Sequence, residues 1–243
     1  MQDIRVSTFD PRSKLYSAGG VLQSDELSTQ NILLMWPTPL YLAQNVLPCA
    51  WHDEILTTIL NQQIGENLKS SWLEKKFFDQ WPQLKKSFLE FLSAHIRSFL
   101  SWEIPQPFLD SISWTDEMWP NLRTGQDWHS DHLHERSTLS FVYYFSTNTN
   151  SRDVAEKMTS QKANGSLPPG VLQFSDPRGS APYMTHELPS QSFFNRGKFI
   201  VSPVEGQLII FPSYLVHMVA PSLSDVPRVS VAGNIHSFKG VPK

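Results

Sequence analysis

The stretch GQDWHSDHLHERSTLSFVYYF, residues 125–145, puts three of the chain's eight histidines within six residues, with Asp131 among them. Directly behind them, Leu139–Phe145 is a short apolar run rich in aromatic residues, the pattern of a buried strand. Potential ligands crowded in front of a buried strand suggest a β-scaffold that holds an ion. In an extended segment, residues i and i+2 point to the same side. His129 and Asp131 would then share one face as an H-x-D pair, and His132 and His134 the other as an H-x-H pair. All four cannot meet at one ion without a local twist, and the residues alone leave both pairings open.

Working outward, the β character recurs. LDSISW (109–114), EMWPNLR (117–123), STLSFVYYFS (137–146), VLQFSD (171–176), KFIVSP (198–203), QLIIFP (207–212), YLVHMV (214–219) and RVSVAGNI (228–235) are short and bounded by Gly, Pro, Asn and Asp. Eight such segments predict a mainly β protein, a jelly roll or another closed sandwich, with helices packed on one sheet. The helices come earlier. NILLMWPTPLYLAQ (31–44) reads as a strand interrupted by Pro37 and Pro39, but from Trp51 the spacing turns helical, with Ile55, Leu56, Ile59 and Leu60 on one face. QLKKSFLEFLSAHIRSFLSW (83–102) carries a wide apolar stripe from Leu84 to Leu100. His95 lies inside that stripe and reads as a core histidine, not a ligand.

The expected organisation is one domain over 1–243. It has a polar N-terminal segment (1–30), a helical support region (31–104) and a jelly-roll core (105–243) interrupted by a polar insert (147–170). That insert and residues 178–197 have the length and polarity of lid or specificity segments. A net charge of −3 offers no basic field for nucleic acid or an anionic membrane surface. The single cysteine, Cys49, excludes an internal disulfide and suits a reducing compartment. No apolar run approaches the ~20 residues that span a bilayer, and MQDIRVSTFDPRSK lacks the apolar core of a signal peptide. The expectation is a soluble, cytoplasmic protein with neither nucleic-acid nor membrane partners. Its oligomeric state is not legible. Trp51, Trp72 and Trp102 read as packing residues.

The best third ligand is His217, in the apolar run GQLIIFPSYLVHMV (206–219). An H-x-D or H-x-H pair with one remote histidine is the ligand supply of a non-haem iron centre with open positions. A closed structural zinc site would want four ligands, commonly thiolates. Eleven residues on, Arg228 and Ser230 share a strand face among Val, Ala and Gly. An inward guanidinium there needs an anion, because an unpaired buried charge is costly. A carboxylate gripped by the planar fork would meet that need.

Taken in order, WPTP (36–39), WPN (119–121), GQDW (125–128), HLH (132–134), LSFVYY (139–144), GVLQFSDP (170–177), GQLIIFPSYLVHMV (206–219) and RVS with Asn234 resemble a known group. It is the iron(II)- and 2-oxoglutarate-dependent oxygenases with a double-stranded β-helix (jelly-roll, cupin-like) core, in particular a bacterial and phage branch with H-x-H…H and R-x-S motifs. The likeness covers the last 130 residues or so and touches the first 110 only through WPTP. It implies His132, His134 and His217 as iron ligands. Arg228 would bind the distal carboxylate of 2-oxoglutarate, with Ser230, Tyr144 and Asn121 in the same pocket. No catalytic residue is implied beyond the metal centre.

His134 stands six residues before Ser140, as in that group, which favours the H-x-H pair and leaves Asp131 to orient a ligand imidazole. Two departures, Phe141 for a glycine and Glu135 for a proline, would reshape the substrate side. The implied activity is an Fe(II)- and 2-oxoglutarate-dependent dioxygenase that uses O2 to hydroxylate an unactivated C–H of a small-molecule or amino-acid-like substrate. Two other readings stay open: a three-histidine cupin-type metal enzyme that does not use 2-oxoglutarate, and a metal-free jelly-roll binding module.

Overall fold

The computed structural model describes residues 38–44, 47–66, 77–102, 104–125, 127–147, 167, 169–179, 197–222 and 224–240. Along the chain run β1 (Tyr41–Gln44), α1 (Cys49–Glu66), α2 (Pro82–Leu100), the single turn α3 (Gln106–Leu109), β2 (Ser113–Arg123), β3 (His129–His132) and β4 (Leu139–Ser146). They are followed by β5 (Leu172–Ser175), β6 (Lys198–Val201), β7 (Gln207–Pro212), β8 (His217–Val219) and β9 (Arg228–Lys239). The strands form two antiparallel sheets, one ordered β1-β7-β4-β9-β2 and the other β3-β8-β5-β6. This is the jelly-roll arrangement expected from the spacing of the strands. No helix among the described residues is long and apolar enough to cross a membrane.

β4 and β7 are buried on both faces, and their alternation explains how. Phe141, Tyr143 and Phe145 of β4 join Leu208 and Ile210 of β7 in a cluster with Ile55 and Ile59 of α1 and Phe88, Leu92 and Ile96 of α2. The alternate residues, Tyr144, Ile209 and Phe211, face the other way and pack on Leu172, Phe174 and Val201 of the second sheet. With a period of two, one strand serves two cores. Pro82 begins α2 at a position where the missing N–H costs nothing. Arg97 near its end donates to the carbonyls of Leu109 and Ile112 and lies 5.2 Å from the ring of Trp114, tying the helix to the start of β2. His95 is half-buried within the helical stripe, its Nδ1 2.8 Å from the Tyr41 hydroxyl, in the packing role expected of it.

Several local expectations change. Residues 109–114 and 117–123 do not form two strands: the first begins in the α3 turn, and one eleven-residue strand runs from Ser113 through Pro120. Pro120 lies on the sheet's edge strand, the place in a sheet where proline is tolerated. YLVHMV is a turn followed by the three residues of β8, and β9 continues to Lys239. Trp51 and Trp102 are each more than a third exposed, so neither is a packing residue of the core. Residues 1–30, Pro37, Trp72, most of 147–170 and most of 178–197 lie outside the described residues, as do the lid assignments that rest on them.

Candidate metal centre

The twist that the clustered histidines need is built into β3. It pairs antiparallel with β8, His129 opposite Val219 and His132 opposite His217, so three steps on one strand match two on the other. This is a bulge, which breaks the period-two alternation and re-aims the side chains beyond it. His129 and His132 therefore both line the same cavity, while Asp131 between them is exposed. The expected role of Asp131 in orienting an imidazole is not found. Backbone carbonyls take it instead: His132 Nδ1–H donates to Ser130 O at 2.7 Å, and His217 Nδ1–H to Leu215 O at 2.9 Å. Each bond fixes the tautomer that turns Nε2 inward as a lone-pair donor.

His132, His134 and His217 bring one ligand nitrogen each within 4.8 Å of one another, the geometry of three side chains that could hold a metal ion. Their ring centroids stand 4.3 Å (His132–His217), 5.2 Å (His134–His217) and 5.2 Å (His132–His134) apart. His134 is anchored through its backbone, whose N–H donates to Ser213 O at 3.0 Å, and its ring lies against Trp119. His129 is engaged elsewhere: its Nε2 accepts from Arg123 Nη2. The H-x-D pair is thus separated, one member on an arginine and the other in solvent. Burial pushes the pKa of His217 down to about 3, and burial followed by the Arg123 charge does the same to His129, again to about 3. Neutral imidazoles are the form that ligates metals.

The triad opens into a cavity of about 650 Å³ between the sheets. Across the five-stranded sheet, cross-strand partners form rows that, Ser140 excepted, line it. Asn121, Ser230 and Tyr144 make one row, Trp119, Ala232 and Val142 the next, and Glu117, Asn234 and Ser140 the third. All four expected cosubstrate residues, Arg228, Ser230, Tyr144 and Asn121, are buried in its wall. Arg228 is 4 % exposed; its Nη1 donates to Gly170 O at 3.1 Å, and its Nε is buried without a partner. Burial lowers its pKa from the ordinary value, with Tyr144 opposing. The Tyr144 phenol is pushed up to about 12 by burial and stays protonated, a donor. Three imidazoles without a thiolate suit a divalent first-row metal, and the orphaned guanidinium edge suits a carboxylate. The residues fit both groups.

At the other end, Glu117 Oε1 accepts from Asn234 Nδ2 at 2.8 Å, Ser140 Oγ donates to Asn234 Oδ1 at 2.9 Å, and Ser140 Oγ meets Ser213 Oγ at 2.8 Å. This network joins the cavity wall to the residue that holds the His134 backbone. Sequence reasoning missed Glu117 and Trp119 as residues of the cavity wall. The signal was there: with Asn121 they alternate along EMWPNLR, a segment already expected as a strand.

A jelly roll with this site bears out the resemblance to the iron(II)- and 2-oxoglutarate-dependent oxygenases, and just under half of the chain matches a family model of that group. More particularly, residues 117–234 match the family described as "Putative 2OG-Fe(II) oxygenase". Among solved structures, a prolyl-4-hydroxylase from Pseudomonas putida is similar at 15% identity and TM-score 0.50, over 82% of this chain and 88% of that one. AviO1 from Streptomyces viridochromogenes is similar at 10% identity and TM-score 0.53, over 85% and 92%. The non-heme alpha ketoglutarate dependent carbocyclase SnoK from nogalamycin biosynthesis is similar at 10% and 0.50, over 82% and 79%. At such identities these likenesses speak for the fold. No curated protein matches the sequence.

Proposed function

We propose that the protein is a 2-oxoglutarate-dependent iron(II) dioxygenase that oxidises a C–H bond of a small-molecule or amino-acid-like substrate, with hydroxylation as the outcome. The supporting observation is the coexistence, in one cavity, of three convergent imidazoles and a buried guanidinium with no carboxylate partner among the described residues. His132, His134 and His217 would be the iron ligands. Arg228 would hold the distal carboxylate of 2-oxoglutarate, with the Tyr144 and Ser230 hydroxyls and the Asn121 amide around the same chain.

Iron(II), bound with 2-oxoglutarate and O2, supplies oxidative decarboxylation to succinate and CO2 coupled to oxidation of the substrate. The residues do the rest. Ser130 and Leu215 carbonyls orient two of the imidazoles, Arg228 sets the cosubstrate's reach, and the apolar wall of Val142, Leu172 and Phe211 excludes water. The two rows that begin at Trp119 and Glu117, beside His134, are where a substrate would lie.

A three-histidine cupin-type enzyme shares the ligand set but has no use for the orphaned Arg228, which favours the 2-oxoglutarate reading. Iron-loaded protein incubated with 2-oxoglutarate and O2 tests it: succinate should form even without added substrate. No succinate across a broad substrate panel would overturn the assignment.

A further inference from the structure

Arg228 has a second guanidinium as its neighbour. In the pairing of β2 with β9 it stands directly opposite Arg123, so the two side chains leave the sheet on the same face, Cβ atoms about 5 Å apart. Like charges placed directly opposite repel, and the low dielectric of a cavity wall strengthens the repulsion. Arg123 helps to lower the pKa of His129, and its own is lowered by burial, with Arg228 adding to the effect.

A protein that opposes two arginines usually sets a carboxylate between them. Here, among the described residues, neither guanidinium has a carboxylate within ion-pair distance, and Asp127 acts on Arg123 only through its field. The hydrogen bonds described for them go to the Gly170 carbonyl and the His129 ring, both neutral. Arg123 Nε and Arg228 Nε are both buried without a partner. His129, which lines the cavity, accepts from Arg123 at Nε2 and so fixes the place of its side chain. This gives the histidine that does not join the triad a positioning role.

We propose that Arg123 is a second anion-binding residue of the cosubstrate site, so that the distal carboxylate of 2-oxoglutarate is held between two guanidinium groups, Arg123 and Arg228. This rests on the oxygenase reading above and extends it to a residue on another strand. One anion between the two forks satisfies both orphaned edges and removes the repulsion that the empty pair carries.

The test is binding, not turnover. Iron(II)-loaded full-length protein is titrated anaerobically with 2-oxoglutarate and with 2-oxopentanoate, which keeps the keto-acid end but ends in a methyl group. The charge-transfer absorbance of the chelate is the readout. Arg123→Met should weaken 2-oxoglutarate about tenfold or more, as loss of a charge-assisted bond does, and move 2-oxopentanoate by less than about twofold. Arg123→Lys keeps the charge without the fork and should lose about threefold or more for 2-oxoglutarate alone, which carries the test should the methionine variant fail to fold.

The proposal is overturned if either folded variant binds 2-oxoglutarate as wild type does, or loses affinity for both acids alike. Arg228→Met separates the two layers. If it alone discriminates between the acids, Arg123 has no such role and the cosubstrate reading stands. If neither arginine variant discriminates, both readings fall.

Discussion

Phe141 stands directly opposite Gly233 across the β4–β9 pair, and its ring fills the space where residue 233 would carry a Cβ. A Cβ built at 233 would meet Phe141 Cζ at 2.5 Å and the Glu117 carbonyl oxygen at 2.4 Å. Phe141, one of the two departures noted in the sequence, turns its ring toward Phe88 and the helix layer. It also lines the cavity, and the glycine opposite is what makes room for it.

Gly233→Ala should therefore destabilise the fold. The clash is partly with backbone, which cannot rotate away, so the cost should reach the upper part of the roughly 1–3 kcal/mol range for overpacking. Phe141→Ala should cost about 3–5 kcal/mol as a cavity. Urea unfolding measures both. A Gly233→Ala midpoint equal to wild type would contradict the close approach.

Single substitutions of His132, His134 or His217 by Ala should each abolish stoichiometric iron binding, a larger loss than the roughly 10–100-fold expected for an outer partner. His129→Ala should keep its iron. Metal content after anaerobic loading and desalting separates the two classes. Iron loss in His129→Ala together with retention in His134→Ala would restore the H-x-D pairing.

Acid should weaken the metal-free protein in a defined window. His217 and His129 are held at about 3 in the folded state against an ordinary 6.5. Both rings stay neutral in the fold while the unfolded chain takes up protons below about pH 6.5, so stability is complete above that value and falls as pH drops toward about 3. The urea midpoint of the metal-free protein should decline across this range, and less steeply in His129→Gln. A flat profile would show that the rings are not held neutral.

Tyr144→Phe removes a buried phenol donor from the row proposed to hold the cosubstrate and keeps the ring's packing. It should weaken 2-oxoglutarate about tenfold, the worth of one hydrogen bond to a charged group, with iron content unchanged. Ser230→Ala, one strand over in the same row, should give a similar or smaller loss. Anaerobic titration reads both, and unaltered affinity in both would remove the row from the cosubstrate site.

Much of this was legible from residue order. The strands around Phe141 and Ile209 announced themselves because burial on two faces demands an unbroken apolar run, and α2 because its stripe repeats at helical spacing. His217 and Arg228 stood out as polar groups in apolar surroundings. β2 was divided at Thr115 and Asp116, where its pairing with β9 shifts register, an irregularity that only the assembled sheet shows.

Sequence by itself determined the materials: a double-faced β-core, a supply of imidazoles and an inward guanidinium, each set by the pattern of neighbours along the chain. Tertiary structure decided which of them meet. The bulge opposite His217 shifts the phase of β3, sends Asp131 to solvent and brings His129 onto Arg123, because pairing register is a relation between strands that are some eighty residues apart.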